Sequence, residues 1–455
     1  MLYRHDTIAA LATPVGHGAL ALIRVSGPDA LACTQALWKG RQKLTESQGY
    51  QVSFGFIIDP ESAKDIDQVL VTVFRAPRSF TGEDMIEISS HGGIALPNKI
   101  LDLLLRQGVR LAEKGEFSKR AFFNGKIDLT QAEAINDIIS SSTLAGSELA
   151  LNNLKRNLSD PLSVLRNEIL YLCAKLEVLI DNPEEELEDW DKEDTKKLRS
   201  ILESLQSLIK TGERSRKIAQ GFRVVLAGKT NVGKSSLLNA LAGEERAIVS
   251  QIHGTTRDVI EVELNLDGLP VVLIDTAGIR ETYENEIEGY GIIKTQENLK
   301  RADLILFILD GETGLTGEDE RALEYIHNEK TLFCLNKIDL GANHELAARE
   351  LGQEVLGLSA KSGTGLPALI EKLKEVLEIK SVEETSFYVN QRQHAVLSQM
   401  AKSIEKTLEI AEDGALIDIM AFELRLALDK LSELLGFEAQ PAILDTIFAH
   451  FCIGK

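Results

Sequence analysis

Short runs of β-branched and aromatic residues, bounded by Gly, Pro and Asp, mark the first part of the chain. Residues 18–25, 52–58 and 69–74 are such runs, and each reads as a strand. After Met85-Ile86-Glu87-Ile88-Ser89, apolar positions at helical spacing follow over 100–105. Residues 1–119 are therefore expected to form a compact α/β domain. From residue 120 the period changes. Apolar positions recur at i, i+3, i+4 and i+7 over 133–139, 149–158, 162–180 and 198–209, and again over 395–410, 417–435 and 441–451. Between these halves, residues 217–382 return to strands and turns. Neither helical half has strands of its own, so the simplest organisation is one helical domain, 120–216 with 383–455, interrupted by an inserted domain.

The inserted domain opens on Arg223-Val224-Val225-Leu226-Ala227-Gly228-Lys229-Thr230-Asn231-Val232-Gly233-Lys234-Ser235-Ser236. An apolar run, Gly-x-x-x-x-Gly-Lys-Ser and a helix-like continuation give strand, phosphate loop and helix, the context of a Walker A motif. Its glycines let backbone N–H groups close round phosphates; Lys234 is expected on the β/γ oxygens and Ser235 on Mg²⁺. The candidate contacts are Asn231, Val232, Gly233, Lys234, Ser235 and Ser236.

Further stretches follow in the order of a Ras-like P-loop GTPase. Gly254-Thr255-Thr256 supplies a threonine for Mg²⁺ and the γ-phosphate. Asp275-Thr276-Ala277-Gly278 ends an apolar strand with the Walker B aspartate and a glycine whose N–H approaches the γ-phosphate. Asn336-Lys337-Ile338-Asp339 selects the base, because a carboxylate at Asp339 accepts two hydrogen bonds from guanine N1 and N2. Ser359-Ala360-Lys361 offers backbone N–H groups to the guanine carbonyl. Together these make GTP the expected substrate. Ile279 stands where a Ras-like protein carries its water-orienting glutamine, so water must be positioned otherwise. Asn231 offers an oxygen for a monovalent cation near the β/γ oxygens, or it is a turn residue.

Composition narrows the class. The chain has 455 residues, 44% hydrophobic and 26% charged, as expected of a globular protein of about three domains. A formal net charge of −20 argues against non-specific nucleic-acid binding by the whole surface. No apolar stretch approaches the roughly 18 residues that span a bilayer, and residues 1–6 lack a signal peptide's pattern, so a cytoplasmic protein is expected. Cys33, Cys173 and Cys334 sit in apolar runs and read as small core residues. Cys452 stands fourth from the end, but Gly454 and Lys455 do not fit a prenylation signal. A thiol beside Lys455 suits a nucleophile or an acid/base, whereas a frayed, inert tail accounts for the same residues. The stretches 81–87 and 90–93 read equally as solvated turns or as a ligand site, and the acidic run 181–191 as a solvated loop or helix start.

Over essentially its whole length the chain resembles the bacterial tRNA-modification GTPase family called MnmE or TrmE. The likeness rests on Asp6-Thr7-Ile8-Ala9-Ala10, Ile23-Arg24-Val25-Ser26-Gly27, Thr81-Gly82-Glu83-Asp84, His91-Gly92-Gly93, Gly115-Glu116-Phe117-Ser118-Lys119-Arg120-Ala121-Phe122, Asn124-Gly125-Lys126-Ile127-Asp128-Leu129, Gln131-Ala132-Glu133-Ala134, the GTPase set and Phe451-Cys452-Ile453-Gly454-Lys455. The resemblance implies an amino-terminal domain that binds one-carbon tetrahydrofolate, as the 5-formyl or 5,10-methylene form, and makes a homodimer. Arg24, Glu87, Lys126 and Lys455 match the family's folate positions. Asn231, Ser250, Ile252 and Thr255 match its potassium positions, and Ser235 and Thr256 its magnesium positions, with Ser250, Gln251, Ile252 and His253 implied as GTP contacts just before Gly254. Glu288 matches the catalytic acid/base, with Glu286 a competitor because the local spacing is one residue longer, and Cys452 matches a cysteine of the modification chemistry.

Also implied is an FAD-dependent partner of the MnmG (GidA) type in a heterotetramer, carrying much of the tRNA contact, with no stable membrane anchoring. The product is an aminomethyl or carboxymethylaminomethyl group on carbon 5 of the wobble uridine. The alternative is a GTP-dependent ribosome-assembly or RNA-binding switch without covalent chemistry.

Overall fold

The computed structural model describes residues 5–141, 144–181, 190–243, 260–266, 269–275, 299, 302–324, 326, 330–341, 352–377, 386–413, 416–437 and 441–455. The chain divides into two compact units. One joins Met1–Asp137, Leu151–Ile209 and Gln391–Lys455; the other joins Ile138–Ala150 and Lys210–Asn390.

The first unit begins with β1 (Ile8–Leu11), β2 (Leu20–Ser26), α1 (Ala30–Ala36), β3 (Trp38–Gly40), β4 (Gln51–Asp59), β5 (Lys64–Phe74), β6 (Met85–His91), α2 (Ala95–Arg106) and β7 (Arg110–Leu111). The strands form one sheet in the order β3-β4-β5-β6-β2-β1-β7. Each neighbouring pair is antiparallel except β1 with β7. Alternation decides the faces. Val69, Val71 and Val73 of β5 and Ile86 and Ile88 of β6 point into the core under α1 and α2, with Leu31, Ile100, Leu103 and Leu104. The residues between them lie on the other face, where Leu20, Val52, Phe54 and Leu70 are exposed. The short β1, β3 and β7 and the helix α1 are absent from the periodic pattern. Alanine-rich β1 owes its strand to pairing with β2, a contact that local preference does not register.

The helical part follows with α3 (Glu116–Phe123), α4 (Leu129–Ser140), α5 (Leu144–Leu154), α6 (Ser159–Asp181) and α7 (Lys192–Gln220). The helix expected over 149–158 is instead broken: α5 stops at Leu154, Arg156 takes φ +73°, and α6 starts at Ser159. Of the acidic run, residues 182–189 lie outside the described residues, while Asp191 caps α7 by accepting the N–H groups of Glu193 (2.6 Å) and Asp194 (2.9 Å). Leu162, Leu165, Ile169, Leu172 and Leu176 form the buried stripe of α6.

The second unit carries β8 (Phe222–Ala227), α8 (Lys234–Gly243), β9 (Ile260–Leu266), β10 (Leu269–Asp275), β11 (Leu304–Asp310), α9 (Gly317–Glu324), β12 (Thr331–Asn336), β13 (Val355–Gly357) and α10 (Leu366–Val376). Their order is β13-β12-β11-β8-β10-β9, parallel except for β9. Apolar clusters cover both faces, which is why β11 is buried at every position and reads as an apolar run up to Asp310. The first strand, β8, lies between β11 and β10. The chain order reverses there, and such sheets bind ligands beyond the carboxyl ends of the strands at that point.

The remaining helices, α11 (Gln391–Glu412), α12 (Ile417–Leu435) and α13 (Pro441–Ala449), return to the first unit. Arg392 forks onto Glu133 of α4 at 2.7 and 2.8 Å, a bidentate pair that ties the late helices to the early ones. This is an α/β unit with a helical part, interrupted by a Ras-like sheet.

Candidate functional sites

At the carboxyl end of β8 the phosphate loop runs into α8. Gly228 has φ +136°, and a Cβ there would stand 2.4 Å from the carbonyl oxygen of Ile308, so the close approach to β11 admits only glycine. Asn231 takes φ +65° and is exposed. Lys234 is buried and donates from Nζ to the carbonyls of Gly228 (2.8 Å) and Lys229 (2.7 Å). Ser235 and Ser236 follow it in the first turn of α8.

Asn336, buried at the end of β12, joins two loops. Its Nδ2 donates to Val232 O at 2.8 Å, and its Oδ1 accepts the Ala360 N–H at 2.9 Å. That amide was expected to face the guanine carbonyl; here it is bonded to Asn336. Lys337, at φ +65°, donates to Asp310 Oδ2 at 2.7 Å. Ile338 opens a 3-10 turn that leaves Asp339 at the surface. Ser359 is buried and accepts the Ser362 N–H at 3.2 Å, while Lys361 is exposed. Phosphate loop, base-selecting loop and the 359–361 loop thus meet through one asparagine side chain.

A second site lies on the amino-terminal sheet. Arg24 and Glu87 are register partners on β2 and β6, and Arg24 donates to Glu87 Oε1 from Nε (3.0 Å) and Nη2 (2.7 Å). The guanidinium also lies 5.6 Å from the ring centres of Phe80 and Phe117. Its third arm, Nη1, donates to Gly454 O at 3.0 Å. The terminal residues are therefore docked, which removes the frayed-tail reading. Ile453 bridges Lys114, Gly115 N–H donates to Cys452 O, and Phe117 N–H donates to Lys455 O at 3.2 Å. Burial, and then the charge of Arg24, hold the Lys455 amine below its ordinary value. Cys452 is exposed, and Lys126 donates to Pro77 O at 3.0 Å on the loop that carries Phe80.

Beside this site Arg120 is almost wholly buried among Asp6, Glu83 and Glu116, and Arg110 pairs with Asp6 and Glu116. Thr81 is fully buried and shares a 2.7 Å hydrogen bond with Ser26, so 81–84 is a built part of the domain and not a solvated turn.

The chain is 43% identical to the tRNA modification GTPase MnmE of Carboxydothermus hydrogenoformans over 99% of both chains. It belongs to the MnmE family of tRNA modification GTPases. As a member of that family it is a GTP hydrolase. The MnmE of Desulforamulus reducens is 39% identical over 99% of both chains. Models of the MnmE helical domain and of the GTP-binding protein TrmE N-terminus match residues 129–452 and 7–126. The G domain of the Thermotoga FeoB iron transporter is 28% identical, covering 34% of this chain and 98% of its own, at a TM-score of 0.28 that carries no weight.

Several positions expected from the GTPase motifs or from the MnmE resemblance lie outside the described residues: Ser250, Gln251, Ile252, His253, Gly254, Thr255, Thr256, Thr276, Ala277, Gly278, Glu286 and Glu288. Asp275 is described only as the last residue of β10, register partner of Leu226. Sequence reading missed Phe80, Phe117 and Gly454 around Arg24, and Asp310 beside Lys337. Only the Gly in the terminal motif signalled its place: Gly454 has φ +92°, and a Cβ there would lie 2.7 Å from Ala12 Cα. Cys33 is only partly buried and donates to Gln107 O at 3.5 Å, whereas Cys173 and Cys334 are core residues.

Proposed function

We propose that this chain hydrolyses GTP in the course of adding an aminomethyl or carboxymethylaminomethyl group to carbon 5 of the wobble uridine, position 34, of certain tRNAs. It does so in the cytoplasm as a homodimer, in a heterotetramer with an FAD-dependent MnmG type protein that makes much of the tRNA contact. One-carbon tetrahydrofolate is held by Arg24, Glu87, Lys126 and Lys455, next to Cys452. The chemistry of the residues fits: Arg24 carries two aromatic neighbours and a carboxylate, and Lys455 is a half-buried cation, a set suited to a flat ring and an acidic tail. The exposed face bearing Leu20, Val52, Phe54 and Leu70 supports dimerisation through this domain.

In the second unit, Asn336 and Asp339 read guanine, Ser359, Ala360 and Lys361 close its pocket, and Lys234 holds the phosphates. Ser235 and Thr256 would hold Mg²⁺, and Asn231, Ser250, Ile252 and Thr255 K⁺; bound there, the cations supply the charge that an arginine finger supplies in other GTPases. Glu288 orients water in place of glutamine.

The observation that carries this reading is the hydrogen bond from Arg24 to Gly454 O, which sets the terminal lysine and cysteine beside the expected folate residues. A GTP switch without covalent chemistry has no use for it. Titrating 5-formyltetrahydrofolate into the full chain tests it. Binding by the parent, weakened about tenfold or more in Arg24→Ala while GTP hydrolysis persists, is the expected result. No binding by the parent transfers the case to the ribosome-assembly or RNA-binding switch.

A further inference from the structure

The phosphate loop is fastened on two sides by contacts already described, Gly228 against Ile308 and Asn336 on Val232. Lys229, between them, carries a third. Its side chain turns away from the loop, and Nζ lies 2.8 Å from Thr313 Oγ1, 3.4 Å from Thr316 Oγ1 and 3.4 Å from Asp319 Oδ2. Asp319 is fully buried in the first turn of α9. Its Oδ2 also accepts the Thr316 N–H (3.0 Å) and hydroxyl (2.6 Å), capping the helix, while Oδ1 has no hydrogen-bond partner among the described residues.

A buried carboxylate with one bare oxygen is costly unless a cation stands close, and among the described residues Lys229 is the cation paired with it. Lys229 also acts on the main chain of the site, because its carbonyl is one of the two that take the Lys234 ammonium. At the end of β11, Asp310 lies between the same lysine and Lys337. Burial pushes the Asp310 carboxyl up, but Lys337, the Glu312 N–H and the charge of Lys229 hold it below its ordinary value.

We propose that Lys229 is a positioning residue for GTP: through Asp319 and Thr313 it pins the start of the phosphate loop to the corner between β11 and α9, so that Lys234 and the loop N–H groups are set before the nucleotide binds. The lysine itself stays off the phosphates. Its effect is on affinity, because a loop that must be ordered by the ligand binds that ligand more weakly.

The test is the affinity of the full chain for a fluorescent GDP, measured for the parent, Lys229→Met, Lys229→Arg, Asp319→Asn and the double variant Lys229→Met/Asp319→Asn. Methionine keeps the stem without the charge and is expected to weaken binding about tenfold, arginine to stay within about threefold, and the double variant to be no weaker than the weaker single. Parental affinity in Lys229→Met overturns the proposal, and so do losses that multiply in the double variant. Should Asp319→Asn fail to fold, the methionine and arginine pair decides alone. A methionine variant with lowered melting temperature and no rescue by arginine marks Lys229 as a stability residue and also overturns it.

Discussion

Arg24 and Glu87 face each other across β2 and β6 in a 2.7 Å ion pair, and the free arm of the same guanidinium holds Gly454, 430 positions later, by its carbonyl. One side chain therefore fixes both a strand pair and the end of the chain. The fit of the tail depends on the missing Cβ of Gly454, which would meet Ala12 Cα at 2.7 Å and Leu11 O at 2.9 Å, both backbone. Gly454→Ala is expected to undock residues 452–455. Amide exchange read by mass spectrometry should then rise at Gly115 and Phe117, whose N–H groups donate to the tail, and stay unchanged in the β4–β5 hairpin. Unchanged exchange at Gly115 and Phe117 would show that the tail tolerates the methyl group.

Acid should loosen the amino-terminal domain through Glu116. Burial pushes its carboxyl up, but the hydrogen bonds of Arg110 and the Glu113 N–H, with Arg120, outweigh burial and hold it below the usual range. A lowered folded value means that the carboxylate contributes stability above about pH 4.5, and that this contribution is lost as pH falls through the folded value. Glu116→Gln is expected to cost about 3 kcal/mol at pH 7, with the gap to the parent closing as the pH falls through the lowered folded value. Urea unfolding followed by Trp38 fluorescence, in a Trp190→Phe background, reports it; a gap that persists at low pH refutes the assignment.

Asn336→Ala removes the donor to Val232 O and leaves the partly buried Ala360 N–H without its acceptor. Each loss costs about 1–3 kcal/mol. GDP affinity is expected to fall by at least tenfold, and the melting of the second unit to move down with it. Retained affinity in a calorimetric titration would mean that the two loops are set independently.

Potassium is expected to accelerate GTP hydrolysis relative to sodium at equal ionic strength. Asn231→Ala should abolish the acceleration. Glu288→Ala should remove hydrolysis in both salts, and if it does not, Glu286→Ala is the variant that should. Equal parental rates in the two salts would discard the potassium site.

Thiol accessibility ranks the four cysteines. Burial pushes the Cys173 and Cys334 thiols up to about 12, whereas Cys452 lies exposed on the docked tail. Mass spectrometry after brief alkylation at pH 8 should find Cys452 modified first, Cys33 next and the other two last. Early modification of Cys334 would contradict the packing of β12.

The nucleotide unit was legible along the chain because its parts are local. The phosphate loop needs glycines at fixed offsets, and Asp275 and Asn336 each close a strand that is apolar on both faces. The order of the helical segments and the strands β2, β4 and β5 were legible for the same reason, since the period of burial is written in consecutive residues. What neighbours in sequence do not encode is which distant side chain completes a site. Arg24 and Gly454, Asn336 and Val232, and Lys229 and Asp319 meet only because the sheets bring strand ends together and the last helix returns to the first domain. Hydrogen bonds and ion pairs act over about 3 Å, so these partners were decided by tertiary structure alone.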